Sequence, residues 1–289
     1  MRVHAILFML WAVLGMQACS EAGQEEIVIN NLPSEGTETD YEIREIICVN
    51  NGKRIYGVAY IPQGVSGKMP AVIYSHGLGS SYSYGEPYAR FLASHGIVCY
   101  CFDFCGGSPS SRSDGRTTDM SIFTEEGDLV AVLNSVQEWD FVDRNQIFLF
   151  GSSQGGMVSA MVAADHETEI KGLILFYPAF CIAEFAMERY DSAEEVPETT
   201  PFLGMTVGRT YFVNLFDYDT YGDVRRYKKD VLIIHGDRDG VVPLSFSDRA
   251  VEEYPSATLH VIENAGHGFG GNDMQEAARY MWNYLRMNI

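Results

Sequence analysis

Three residue types at wide spacing could together perform acyl transfer: Ser153, His267 and an aspartate between them in the chain. Ser153 is the centre of Gly151-Ser152-Ser153-Gln154-Gly155, a G-x-S-x-G pentapeptide. A serine hydroxyl is a poor nucleophile until a base takes its proton, and that base needs an orienting acid. Both types follow downstream. His235-Gly236-Asp237-Arg238-Asp239-Gly240 carries two candidate acids, and Ala265-Gly266-His267-Gly268-Phe269 carries a candidate base with glycine on either side. The order is serine, acid, histidine.

Elements able to position these residues surround each of them. Gln146 to Phe150 is a short apolar, β-forming run, and Met157 to Ala164 is an Ala-rich helical run. Strand, tight turn and helix would lift the Ser153 hydroxyl to a helix N-terminus, where developing negative charge is favoured. Val231 to Ile234 and Leu259 to Ile262 read as buried strands whose exit loops hold Asp239 and His267. All three side chains therefore fall just past the carboxyl ends of strands, where open α/β sheets place ligands. Elsewhere, Tyr41 to Val49 and Lys53 to Ile61 flank Asn50-Asn51-Gly52 and predict a hairpin. Ala71 to Ser75, Ile97 to Phe104 and Lys171 to Tyr177 read as strands; Gly85 to His95, Ile122 to Trp139, Leu244 to Glu253 and Met274 to Met287 read as helices. Alternating strands and helices predict an α/β fold, with a mostly parallel sheet covered on both faces and the hairpin antiparallel at one edge.

Composition narrows the function classes. The formal charge of −19 opposes nucleic acid and anionic membrane surfaces, both of which need clustered Lys and Arg. No spacing suits a metal, and no cofactor is implied. Residues 1–23 read as an export signal: Arg2 and His4 precede an apolar stretch, Ala5 to Gly15, too short to span a bilayer. Met16-Gln17-Ala18-Cys19-Ser20 resembles the lipobox of bacterial lipoproteins, which makes Cys19 a candidate lipid anchor; an ordinary cleavable signal peptide is the alternative. Residues 24–40 form a polar, acidic tether, and residues 41–289 one domain. The expected setting is the bacterial cell envelope, or the periplasm or medium if the anchor is not used. Cys48, Cys99, Cys101, Cys105 and Cys181 are odd in number, and no disulfide framework is expected.

Four ordered stretches resemble the α/β-hydrolase fold over about residues 42–289: His76-Gly77-Leu78-Gly79, Gly151 to Gly155, His235 to Pro243 and Ala265 to Phe269. Within it, Gln154-Gly155 after the serine looks most like bacterial feruloyl (cinnamoyl) esterases and related carboxylesterases. The resemblance implies Ser153 as nucleophile, His267 as base and Asp239 rather than Asp237 as acid. It also implies that the backbone N–H groups of Leu78 and Gln154 bind the oxyanion. Because the base follows the acid in this family, His76 and His235 read as supporting hydrogen bonders.

Residues 181–230 form a long, aromatic-rich connection punctuated by Pro197 and Pro201, which reads as a lid-like insert; a helical pair packed on the core is the bland alternative. In feruloyl esterases an insert here covers the site, and Tyr211 stands at a plausible position for ring contact. Phe185 is a departure, standing near where a polar partner is expected, with Glu184 beside it. The expected activity is hydrolysis of small-molecule carboxylic esters, hydroxycinnamoyl or short-chain acyl, through an acyl-enzyme. The alternatives are a serine peptidase of the same fold and a non-catalytic surface binding lipoprotein.

Overall fold

The hairpin at the start of the domain shows how local chemistry sets the sheet. In the computed structural model, which describes residues 39–289 together with Ile29, Asn51 and Gly52 both have positive φ, 49° and 83°. That is the two-residue turn whose twist matches the strands it joins. It links β1 (Tyr41–Asn50) to β2 (Lys53–Pro62) in register from Asn50 opposite Lys53 to Tyr41 opposite Pro62. Residues 1–23, and Cys19 with them, lie outside the described residues.

Beyond the hairpin come β3 (Met69–Ser75), α1 (Glu86–Ser94), β4 (Val98–Phe102), α2 (Ile122–Gln137), β5 (Val142–Ser152), α3 (Gln154–Asp165) and β6 (Gly172–Phe176). The connection that follows holds α4 (Ile182–Arg189), β7 (Thr199–Phe202), β8 (Met205–Gly208), α5 (Thr210–Val213) and α6 (Thr220–Arg226). The chain closes with β9 (Val231–Gly236), α7 (Ser245–Glu253), β10 (Ala257–Ile262) and α8 (Gly271–Asn288). Eight strands form one sheet in the order β1-β2-β4-β3-β5-β6-β9-β10. Pairing is antiparallel from β1 to β4 and parallel from there on. Element boundaries lie within a few residues of those expected; α8 begins three residues before Met274.

Side-chain alternation divides the core between the two faces of the sheet. On β5, Ile147 and Leu149 face α2 and α3, where Leu129, Val132, Leu133, Met157 and Val158 cover them. Phe148 and Phe150 point the other way, towards Phe91 and Leu92 of α1 and Met281 and Leu285 of α8. The central strands are buried on both faces, so they read as continuous apolar runs. Cys48, Cys99, Cys101, Cys105 and Cys181 are free buried thiols.

The insert is neither a plain helical pair nor a single lid helix. Its centre is the β7–β8 hairpin, turned at Leu203 and Gly204, which have φ of 44° and 82°. Pro201 argues against a strand in the sequence. It is tolerated because this ribbon has only two strands, so a missing donor on an outer edge leaves no ladder broken. Thr117 Oγ1 donates to the Thr206 carbonyl at 2.6 Å and docks the hairpin on the loop before α2.

Candidate active site

The turn from β5 into α3 is shaped by backbone crowding. A Cβ on Gly151 would lie 2.3 Å from the Gly155 carbonyl oxygen, and one on Gly155 would lie 2.2 Å from that of Ser75. A larger residue at Gly151 would push α3 off β5, and one at Gly155 would push the turn away from β3. Ser153, between them, has φ 51° and ψ −121°. A non-glycine residue in this region costs on the order of 1–3 kcal/mol. Its N–H donates to the Phe176 carbonyl at 2.9 Å and its own carbonyl accepts from the Ala179 N–H at 2.9 Å, so β6 and its exit hold the strained turn from both sides.

Ser153 Oγ lies 2.9 Å from His267 Nε2, and His267 Nδ1 lies 2.7 Å from Asp239 Oδ2. The Nδ1–H donates to the carboxylate, which leaves Nε2 as the acceptor facing the serine. Asp239 Oδ1 accepts the backbone N–H groups of Val241 and Val242, each at 2.8 Å. Burial opposes the charge on Asp239, but hydrogen bonds from His235 and His267 outweigh it and hold the carboxyl well below the ordinary carboxylate range. Asp237 does not meet His267; it accepts the Asn264 N–H at 2.6 Å.

Other side chains hold this line in place. His235 Nε2–H donates to the Val242 carbonyl at 3.0 Å and lies 3.3 Å from Asp239 Oδ2, while its Nδ1 meets Ser247 Oγ at 2.7 Å. His76 accepts the Phe104 N–H at Nε2 and donates from Nδ1 to the Gly77 carbonyl. Burial lowers its pKa and favours this neutral form. Tyr177 packs its ring 4.7 Å from that of His267 and donates to Tyr84 Oη at 3.0 Å, which in turn accepts the Phe269 N–H at 3.1 Å. Neither tyrosine was expected at the site. Tyr177 has φ 36°, a conformation that no residue type at that position announces.

Leu78 and Gln154 flank the serine. Gly77 leaves room here, since a Cβ would sit in tight contact, 3.1 Å, with that of Ser153. Gln154 is the first residue of α3, where a backbone N–H has no acceptor within the helix. Among the described residues, neither the Leu78 nor the Gln154 N–H has an acceptor in the protein. Both residues, with Ser153, line a cavity of about 260 Å³ whose far wall comes from the insert: Ile182, Phe185, Phe202, Tyr211 and Phe212. Glu188 is its one charged lining residue and is exposed at the surface. Phe185 lies in this wall, whereas Glu184 is absent from it and pairs with Arg249 on the outside. Tyr211 is 2% exposed, and its hydroxyl donates to the Gln154 side-chain oxygen at 2.6 Å.

A sheet of this order, with a serine turn after β5, an acid after β9 and a histidine after β10, decides the architecture. The chain has the α/β-hydrolase fold. A family model described as serine aminopeptidase, S33, matches residues 68–210. The α/β-hydrolase structure of Est1E from Butyrivibrio proteoclasticus with bound ferulic acid superposes with a TM-score of 0.76, at 24% identity over 84% of this chain and 99% of that one. Among curated proteins, a putative carbamate hydrolase of a Caulobacter species is 25% identical over 71% of this chain and 87% of its own length. Rat monoglyceride lipase is 31% identical over 39% of this chain and 36% of its own length. The chain thus resembles α/β-hydrolases over most of its length.

Proposed function

We propose that the protein is a serine hydrolase of carboxylic esters with neutral, apolar acyl groups. The observation that carries this reading is the Ser153–His267–Asp239 hydrogen-bond line opening on an apolar cavity beside two unpaired backbone N–H groups. Ser153 Oγ attacks the acyl carbon as His267 Nε2 takes its proton. The carbonyl π electrons move to oxygen, where the Leu78 and Gln154 N–H groups stabilise the charge. Each such donor contributes on the order of 3 kcal/mol to the transition state. Collapse expels the alkoxide, which takes the proton from His267, and water repeats the sequence to release the acid. Asp239 keeps the imidazole in the required tautomer and stabilises the imidazolium.

The walls favour neutral acyl groups, because a substrate carboxylate in the cavity would lack a cationic partner and would face Glu188. The ferulic acid bound to Est1E supports an aromatic acyl group as one that such a fold can hold. The test is a panel of p-nitrophenyl and cinnamate esters on the mature domain, with Ser153→Ala beside it. Wild type should turn over neutral esters, and Ser153→Ala should lose at least about 10⁴-fold in kcat/KM with its fold intact. Retained turnover in that variant would remove Ser153 from the role.

A serine peptidase is the second reading, favoured by the description of the matching family and by Glu188, a carboxylate at the cavity able to meet a substrate ammonium. Preferential cleavage of aminoacyl anilides would select it. Export and acylation at Cys19 form a separate proposal, supported by residues 1–23; membrane partitioning that is lost in Cys19→Ala is its test.

A further inference from the structure

One buried acid has no part in the reaction as drawn. Glu125 lies in the first turn of α2 on the stripe that carries Ile122, Leu129 and Val132 into the core, and it is 1% exposed. Its Oε2 accepts from Gln154 Nε2 at 2.8 Å, and the other end of the same amide, Oε1, accepts the Tyr211 hydroxyl at 2.6 Å. Gln154 therefore faces two ways. Its backbone N–H borders the cavity beside Ser153, while its side chain reaches back to bridge α2 and the insert.

The position of this bridge matters for the acyl group. Tyr211 packs its ring 5.4 Å from Phe202 and 4.9 Å from Phe212, and all three line the cavity. Its helix, α5, is a single turn of four residues and has little stability of its own. Other polar ties from the insert to the body, among them Thr117 to Thr206, Tyr221 to the Phe246 carbonyl, Glu184 to Arg249, Arg225 to Glu253 and Arg226 to Asp165, involve none of these three rings. Apolar packing alone is non-directional and would let the aromatic wall slide. A fully satisfied buried polar chain fixes one arrangement, because any other leaves a buried amide or carboxyl without its partner.

We propose that Glu125, through the Gln154 side chain and the Tyr211 hydroxyl, is a positioning residue that fixes the aromatic wall of the cavity and so sets acyl selectivity without touching substrate. The proposal rests on the ester-hydrolase reading. Glu125→Leu removes the acceptor at nearly constant volume, and Glu125→Gln keeps one. Acetate and cinnamate p-nitrophenyl esters are compared. Glu125→Leu should raise KM for the cinnamate ester about tenfold while acetate parameters stay within about twofold, and Glu125→Gln should restore the wild-type ratio. Equal losses on both esters, or no rescue by glutamine, would overturn the proposal. Should the leucine variant fail to fold, Tyr211→Phe carries the same selectivity test, with an unchanged acetate-to-cinnamate ratio as the overturning result.

A wild type inactive on every ester would sink the hydrolase reading instead, and a thermal double-mutant cycle then reads the bridge alone. If Glu125 and Tyr211 act through one bridge, Glu125→Gln/Tyr211→Phe and Glu125→Leu/Tyr211→Phe should differ in midpoint far less than the two Glu125 variants do alone. Full additivity would mean that the two residues act separately.

Discussion

The serine turn and the insert face each other across one cavity, yet different forces hold them. At the turn, Gly151 and Gly155 sit where a Cβ would strike backbone, Gly77 sits where one would crowd Ser153, and Ser153 is pinned by main-chain hydrogen bonds to Phe176 and Ala179. The insert has few such constraints. It is held by aromatic edges, by the Arg209 guanidinium on the Ala193 and Val196 carbonyls, and by the Tyr211–Gln154–Glu125 chain. Backbone locking gives the sub-ångström placement that proton transfer requires. Side-chain packing tolerates exchange of residues of similar volume, which suits a surface that selects among substrates. On the proposed reading, chemistry and selectivity rest on largely separate supports that meet at Gln154.

Substitutions can test that separation. The largest effect is expected at the acid. Asp239→Asn leaves the shape but supports the wrong imidazole tautomer, so kcat should fall on the order of 10⁴-fold for every ester. Asp237→Asn, whose carboxylate meets only the Asn264 N–H, should stay within several-fold on the same substrates. The opposite ranking would reassign the acid. A smaller and selective effect belongs to the insert. Tyr211→Ala removes ring contacts worth about 0.5–1.5 kcal/mol beyond plain burial, so cinnamate esters should lose several-fold more than acetate esters in kcat/KM. Equal losses would make the insert scaffold and erase the contrast.

The smallest effect is a pH dependence. Burial raises the Glu125 pKa well above the ordinary carboxylate range, with the Gln154 hydrogen bond opposing it and Asp128 adding to it. Facing it are Asp128 on its own helix, Gln154, Tyr211, and the His76 ring across Gly107. The folded chain keeps this proton where the unfolded chain has released it, so this group lowers stability as pH rises above the unfolded pKa. The urea midpoint of Glu125→Gln should therefore gain on wild type between pH 5 and pH 8. A constant difference would mean that Glu125 is ionised in the fold.

The same division explains what could be read from sequence. Glycines at Gly151, Gly155 and Gly236 stand where close backbone approach excludes other residues, and such positions leave a mark on composition. Strand alternation and the Asn51-Gly52 turn are equally local. The bridge is not local: Glu125 joins residues 29 positions away, and Gln154 joins Tyr211 across 57 more. Its one local sign was an acid standing in the apolar stripe of α2. The support of His267 by Tyr177 and Tyr84 left no sign at all, since it depends on a positive φ and on a contact across 93 residues. The β7–β8 hairpin was hidden by Pro201, whose missing N–H counts against a central strand but not against a short ribbon.

The buried thiols carry a further consequence. Cys48, Cys99, Cys101 and Cys105 are buried in the interior and Cys181 borders the cavity, and burial pushes Cys105 and Cys181 each up to about 12, so neither of these two is readily a thiolate while the domain is folded. Heating brings all five into water at once, where Cys99 and Cys101, two positions apart, sit at short range for sulfur exchange. Pairings made there are absent from the folded chain and block its return. In air, loss of this protein on heating would be governed by how fast it opens, and recovery on cooling by whether a reductant was present.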